Sequence, residues 1–322
     1  MSPVFSRRAL GAAGLAALPV TRLRAEQYPA RPVTYVVPYE PGGTNDAVGR
    51  IFARQLTQRL GQNVVVENRS GAGGTIAATY VARARPDGTL LLNASSANLT
   101  SAPQLLRAPY DPEADLLPVG FLGHYRYILA VDPRLPIHSF PDFLEYARRH
   151  PGRLNYGTAG VGTGSHLAGE YLRLRTGIDI THVPYRGSGQ VLSAAVAGDV
   201  QFVMDALAIG HVQAGRLRAI AFWGASAAED LPGVPHIREV GLPDWNLTQF
   251  FVAVAPAGTP EPVVRTLHAA IAEASRAPET VAALKALGVE AQPLSLAETA
   301  ALLRQETAVN REVIQAAGIR VS

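Results

Sequence analysis

Glycine placement constrains this chain more than any other feature. Twice an apolar strand runs into a glycine-rich turn and on into an amphipathic helix: through Val36-Val37-Pro38-Tyr39-Glu40-Pro41-Gly42-Gly43-Thr44-Asn45-Asp46, and again through Asn155-Tyr156-Gly157-Thr158-Ala159-Gly160-Val161-Gly162-Thr163-Gly164-Ser165-His166. Such a turn leaves the first N–H groups of the next helix unpaired, with the positive end of its dipole behind them. Glycines let a ligand reach that main chain, so each turn is a candidate anion site. Two turns that face each other can hold one small anion between them.

The elements around the first turn set the topology. Residues 33–37 are β-branched and aromatic, Thr44 or Asn45 is a good N-cap, and Val48, Ile51, Phe52, Leu56 and Leu60 share one helical face up to Gly61. A strand at 64–67, a further glycine turn from Asn68 to Thr75, a helix ending before Pro86-Asp87-Gly88 and a strand at 89–93 follow. Strand and helix alternating at this spacing predict a parallel sheet with right-handed crossovers. Its loops then leave the carboxyl ends of strands, where open α/β sheets bind ligands.

A second set of the same kind begins with a strand at 127–131. Ser139 caps a helix over 140–150, the second glycine turn opens a helix that stops at Gly177, and strands are predicted at 181–184, 200–204 and 218–223, with a helix at 191–197. After the proline-rich Leu231-Pro232-Gly233-Val234-Pro235 comes an apolar strand at 250–254, then a mostly helical remainder with a short strand near Val289. The last third has too few strands for a domain of its own and folds back on the first. At 322 residues the chain suits two α/β lobes: residues 26–125 plus 226–322 as lobe one and 126–225 as lobe two, joined by a hinge of two strands.

The formal charge of +3 suggests a polyanion partner until its origin is located. Arg7, Arg8, Arg22 and Arg24 lie in the first 25 residues, which hold no acid; without them the 29 basic side chains become 25 against 26 acidic ones. No nucleic-acid footprint is left. Residues 1–25 read as an export signal, with Ser6-Arg7-Arg8 before a small-residue apolar run at 9–20 and cleavage near Ala25. The paired arginines resemble a twin-arginine signal, and a general secretory route fits as well. Periplasmic localisation is the resulting expectation. There are no cysteines, which removes disulfides and thiolate chemistry.

Enzyme motifs are missing. No Gly-x-Ser-x-Gly elbow, His-Glu-x-x-His or Walker lysine occurs, and the lone Lys285 sits far from every glycine turn. Ser165 and His166 are neighbours on one helix, point in different directions and cannot pair as nucleophile and base. The histidines lack metal-ligand spacing, so neither a metal nor a cofactor is expected.

Several motifs resemble one family along essentially the whole chain. Tyr28-Pro29, Val37-Pro38-Tyr39 with Pro41-Gly42-Gly43-Thr44, Val65-Val66-Glu67-Asn68-Arg69, Gly71-Ala72-Gly73-Gly74 and Pro86-Asp87-Gly88 are similar to the tripartite tricarboxylate transporter substrate-binding proteins, the Bug family. So are Gly164-Ser165-His166-Leu167-Ala168-Gly169-Glu170, His182-Val183-Pro184-Tyr185-Arg186-Gly187 and Ala255-Pro256-Ala257-Gly258-Thr259-Pro260. The resemblance implies a periplasmic binding protein of type II-like fold, monomeric, that passes a small organic carboxylate to the permease subunits of a membrane transporter. A periplasmic sensing module using the same site is the alternative. Departures from the family lie near the second crossing: no arginine in 225–230, Pro235-His236 for Pro-Thr, and Gln249-Phe250 where a tryptophan is common.

By the resemblance, Tyr39, Gly43 and Thr44 from lobe one and Thr163, Gly164, Ser165 and His166 from lobe two contact the ligand. Asp46 either joins them or serves only the first helical turn, and Ser95 and Ser96 either face the ligand or cap a helix. Asp205, after a strand, either meets a ligand amine or hydroxyl or caps the helix that follows it.

Overall fold

A computed structural model describes residues 28–224 and 231–319; the expected export signal, residues 1–25, and the arginine-free stretch 225–230 lie outside the described residues. Val33–Val37, Val64–Asn68 and Leu90–Ser95 form strands β1, β2 and β3, with β1 parallel to both of its neighbours. Leu116–Tyr125 is β4 and, after Arg126 alone, Tyr127–Val131 is β5. Leu154–Thr158, Ile180–Pro184, Phe202–Met204 and Arg218–Trp223 are β6, β7, β8 and β9. Gln249–Pro256 is β10 and Val289–Glu290 is β11.

These strands make two sheets. One has the order β11-β4-β10-β3-β1-β2, the other β7-β6-β8-β5-β9. The first is not wholly parallel, because β10 enters antiparallel between β3 and β4. That insertion explains the apolar character of β10: all eight of its residues are buried, as a strand covered on both faces requires. The chain crosses between sheets from β4 to β5 and again from β9 to β10, which makes two α/β lobes with paired connections.

Local signals act where the residues suggest, with one shift. The helix Thr44–Leu60 ends at Gly61, whose φ of +66° is the left-handed stop that glycine takes without steric cost. Its N-cap is Gly43, so Thr44 is the first helical residue and caps nothing. A side chain at the cap would occupy the space in front of the helix, and glycine leaves it free. Between the sheets the core is aromatic: Trp223 stacks on Tyr127 at 5.2 Å and meets Trp245 edge-on at 4.9 Å.

Candidate interlobe anion site

The first turn is held from outside. Asp46 is buried and accepts from the Gly42 N–H at 3.0 Å, Arg50 Nε at 2.9 Å and Asn68 Nδ2 at 2.9 Å. Burial alone would raise its carboxyl; the three donors together hold it below the usual carboxylate range. Asp46→Ala should cost about 2–3 kcal/mol in chemical denaturation by orphaning the Gly42 and Asn68 donors. Because the folded-state pKa is depressed, this contribution is complete above the ordinary Asp value of 3.8 and is lost as pH falls below it. Denaturation curves of wild type and variant should therefore converge in acid.

The second turn is held from within its own lobe. Thr163 Oγ1 donates to the Gly160 carbonyl at 2.7 Å, and the Gly162 N–H donates to His166 Nδ1 at 3.2 Å. His166 and His182 meet as tilted rings with centroids 4.2 Å apart, and His182 Nε2 lies 2.6 Å from Thr158 Oγ1. Burial pushes both imidazoles down, His182 to about 3 with His166 adding to the effect. A neutral His166 keeps Nδ1 available as an acceptor, which fixes the turn ahead of the helix Gly164–Thr176.

The turns meet across the lobes. A Cβ at Gly43 would sit 3.6 Å from Ser188 N, and Ser101 Oγ donates to the Gly162 carbonyl at 2.8 Å. Between them lies a cavity of about 60 Å³. By the space one water needs, it holds on the order of four. Tyr39, Gly43, Thr44 and Ser95 line it from one lobe and Thr163, Gly164, Ser165 and Asp205 from the other. Asp46, Ser96 and His166 are not on its wall. Ser96 instead donates to Gln249 Oε1 at 2.9 Å, which orients a residue that is on the wall.

Hydroxyls dominate the polar lining. Tyr39 OH is 3.1 Å from Ser95 Oγ and accepts from Asn98 Nδ2 at 3.1 Å, while Asn98 Oδ1 accepts from the Ser95 N–H and Oγ, both at 2.9 Å. Ser95 therefore serves the helix start and the cavity at once. Tyr125 OH donates to Asp205 Oδ1 at 2.9 Å, accepts from the Ala206 N–H at 3.0 Å and lies 3.4 Å from Thr44 Oγ1. Asp205 Oδ1 also accepts from the Leu207 N–H at 2.9 Å, so this acid both orders the chain after β8 and faces the cavity.

Sequence reasoning missed the strand-borne lining: Tyr125, Tyr127, Gln249, Phe250 and Phe251, together with Ser188. These residues carry no turn signature and reach the cavity through pairings such as Gln249 opposite Tyr125 and Tyr127 opposite Trp223. The one available signal was a glutamine opening an otherwise apolar strand.

Two α/β lobes that join at paired strands and share a small cavity between helix N-termini define a bilobal solute receptor. Residues 48–319 match the tripartite tricarboxylate transporter family receptor, and the chain belongs to that family, which is one of solute-binding receptors and not of enzymes. It is 36% identical to Protein BugT of Bordetella pertussis (strain Tohama I) over 285 residues, 87% of this chain and 86% of the relative. Among solved structures it is similar to R. palustris Rpa4515 with adipate, at TM-score 0.87 and 33% identity, covering 91% of this chain and 99% of that one. It is likewise similar to MatC from Rhodopseudomonas palustris with bound malate, at TM-score 0.84 and 32% identity, covering 89% of this chain and all of the other.

Proposed function

We propose that this protein is an exported, monomeric periplasmic receptor that captures a small organic carboxylate between its lobes and delivers it to the permease subunits of a tripartite tricarboxylate transporter. Lobe one comprises residues 26–125 plus 226–322 and lobe two residues 126–225, after removal of the signal near Ala25. The observation that carries the reading is the convergence of two long helices, Thr44–Leu60 and Gly164–Thr176, on one interlobe cavity. One helix N-terminus contributes about 0.3–2 kcal/mol to an anion, too little alone for micromolar binding, which needs about 8 kcal/mol. Two of them supply up to about 4 kcal/mol, and charge-assisted hydrogen bonds from the tyrosine and serine hydroxyls on the cavity wall are needed for the rest. Relatives solved with adipate and malate support the ligand class.

Thermal unfolding against a panel of dicarboxylates, tricarboxylates, aromatic acids and acidic amino acids tests it. A carboxylate at a hundredfold its Kd should stabilise the fold by about 2.7 kcal/mol and raise Tm by several degrees. A rise with phosphate or a sugar and none with any carboxylate would remove the proposal.

A further inference from the structure

The cavity shaped for an anion already holds a carboxyl group. None of the residues lining it is Lys, Arg or His, and its single acid is Asp205, which is 7% exposed. The groups facing Asp205 are neutral on every side: Tyr125 from β4, Tyr127 from β5, Thr44 from the first turn, and Ser188, whose side chain hydrogen-bonds the carboxyl. Charged groups stand further off. Arg50 is held by Asp46 outside the cavity, Arg126 lies against Gly288 and off the cavity wall, and Glu306, whose charge acts on Tyr127, is off the wall too.

A ligand carboxylate drawn to the two helix ends therefore brings a second negative charge into a space of about 60 Å³, displacing its water beside a buried carboxyl. Two carboxylates so placed do not both stay ionised, because mutual repulsion and lost hydration favour the state that shares one proton. We propose that capture of an amine-free carboxylate draws one proton from solvent onto Asp205, so that the receptor recognises an anion and a proton together. The inference rests on the function proposed above. Oδ1 is committed to Tyr125 and the Leu207 N–H, so the proton belongs on the other oxygen, turning that acid into a donor toward the ligand. The balance is simple: ionised Asp205, ionised ligand and one solvent proton enter, and one negative charge remains in the cavity. Burial already pushes the Asp205 carboxyl above its usual range, against the pull of Ser188, the Leu207 N–H and Tyr125.

The sign of the effect follows from linkage. A bound anion raises the Asp205 pKa further, so between its free and bound values binding takes up a proton and tightens as pH falls. Calorimetry with succinate, adipate and malate, in buffers of different ionisation heat at one pH and then across the neutral range, measures it directly on the intact protein. The expected result is a heat that varies with buffer by up to one proton per ligand, and a Kd that weakens by up to about tenfold per pH unit on the alkaline side. Asp205→Asn should flatten both dependences. Identical heats in all buffers, or undiminished proton uptake in Asp205→Asn, would overturn the inference; the buffer comparison uses wild type alone and survives a variant that fails to fold. Binding without proton exchange would remove this inference only, whereas no binding of any carboxylate would remove the proposed function with it.

Discussion

Gly73→Val is expected to leave the protein folded and to weaken carboxylate binding by a hundredfold or more, about 2.7 kcal/mol. Gly73 has a φ of +60°, and a Cβ there would overlap the Val161 carbonyl oxygen in the turn of the opposite lobe and lie 3.2 Å from Leu106 Cδ1. The left-handed backbone costs a β-branched residue about 1–2 kcal/mol, which a domain with 5–15 kcal/mol in hand tolerates. The overlap is of another kind. It is with main chain of the other lobe, so the variant relieves it by holding the lobes apart, and the two helix ends no longer converge. Calorimetry should show the lost affinity, and small-angle scattering with ligand should show a larger radius of gyration than wild type. A variant that binds and closes like wild type would show that this contact does not set the closed position.

Trp223→Ala is expected to cost about 3–5 kcal/mol in denaturant unfolding, the usual range for emptying a fully buried aromatic site. Trp223 is 1% exposed and packs against both Tyr127 and Trp245. Since Tyr127 lines the cavity, the variant should also bind more weakly wherever it is still folded. A loss of stability with unchanged affinity would mean that Tyr127 is held by its other neighbours, among them Tyr125 at 4.8 Å.

Much of this architecture is legible in local sequence because its punctuation is made by glycine. Gly61 and Gly177 end their helices in the left-handed conformation, and Ser139 caps the helix Phe140–Arg149 through the Asp142 N–H at 3.2 Å. The strands Tyr127–Val131 and Arg218–Trp223 lie where the apolar runs put them. Two things were not legible. The antiparallel seat of β10 depends on a partner more than a hundred residues earlier, which no local pattern encodes. The strand-borne part of the cavity was hidden for the same reason: Tyr125, Tyr127 and Phe251 look like core residues until their strands are paired. Asp46 shows the reverse difficulty. It stands beside the glycine turn in sequence, yet its carboxylate points to Gly42, Arg50 and Asn68 and fastens the turn from behind.

The seat of β10 also dictates an order of assembly. Every strand of the five-stranded sheet comes from within residues 127–223, so that half can complete its pairing as soon as those residues are present. The six-stranded sheet has to wait. Until residues 249–256 arrive, β3 has an open edge and β4 has neither of its neighbours, since β10 and β11 both come later in the chain. Unpaired strand edges are adhesive and distant pairings close slowly. The half of the molecule made first is thus the half finished last, and a chain cut short before β10 leaves β3 with a bare edge and β4 with no strand beside it.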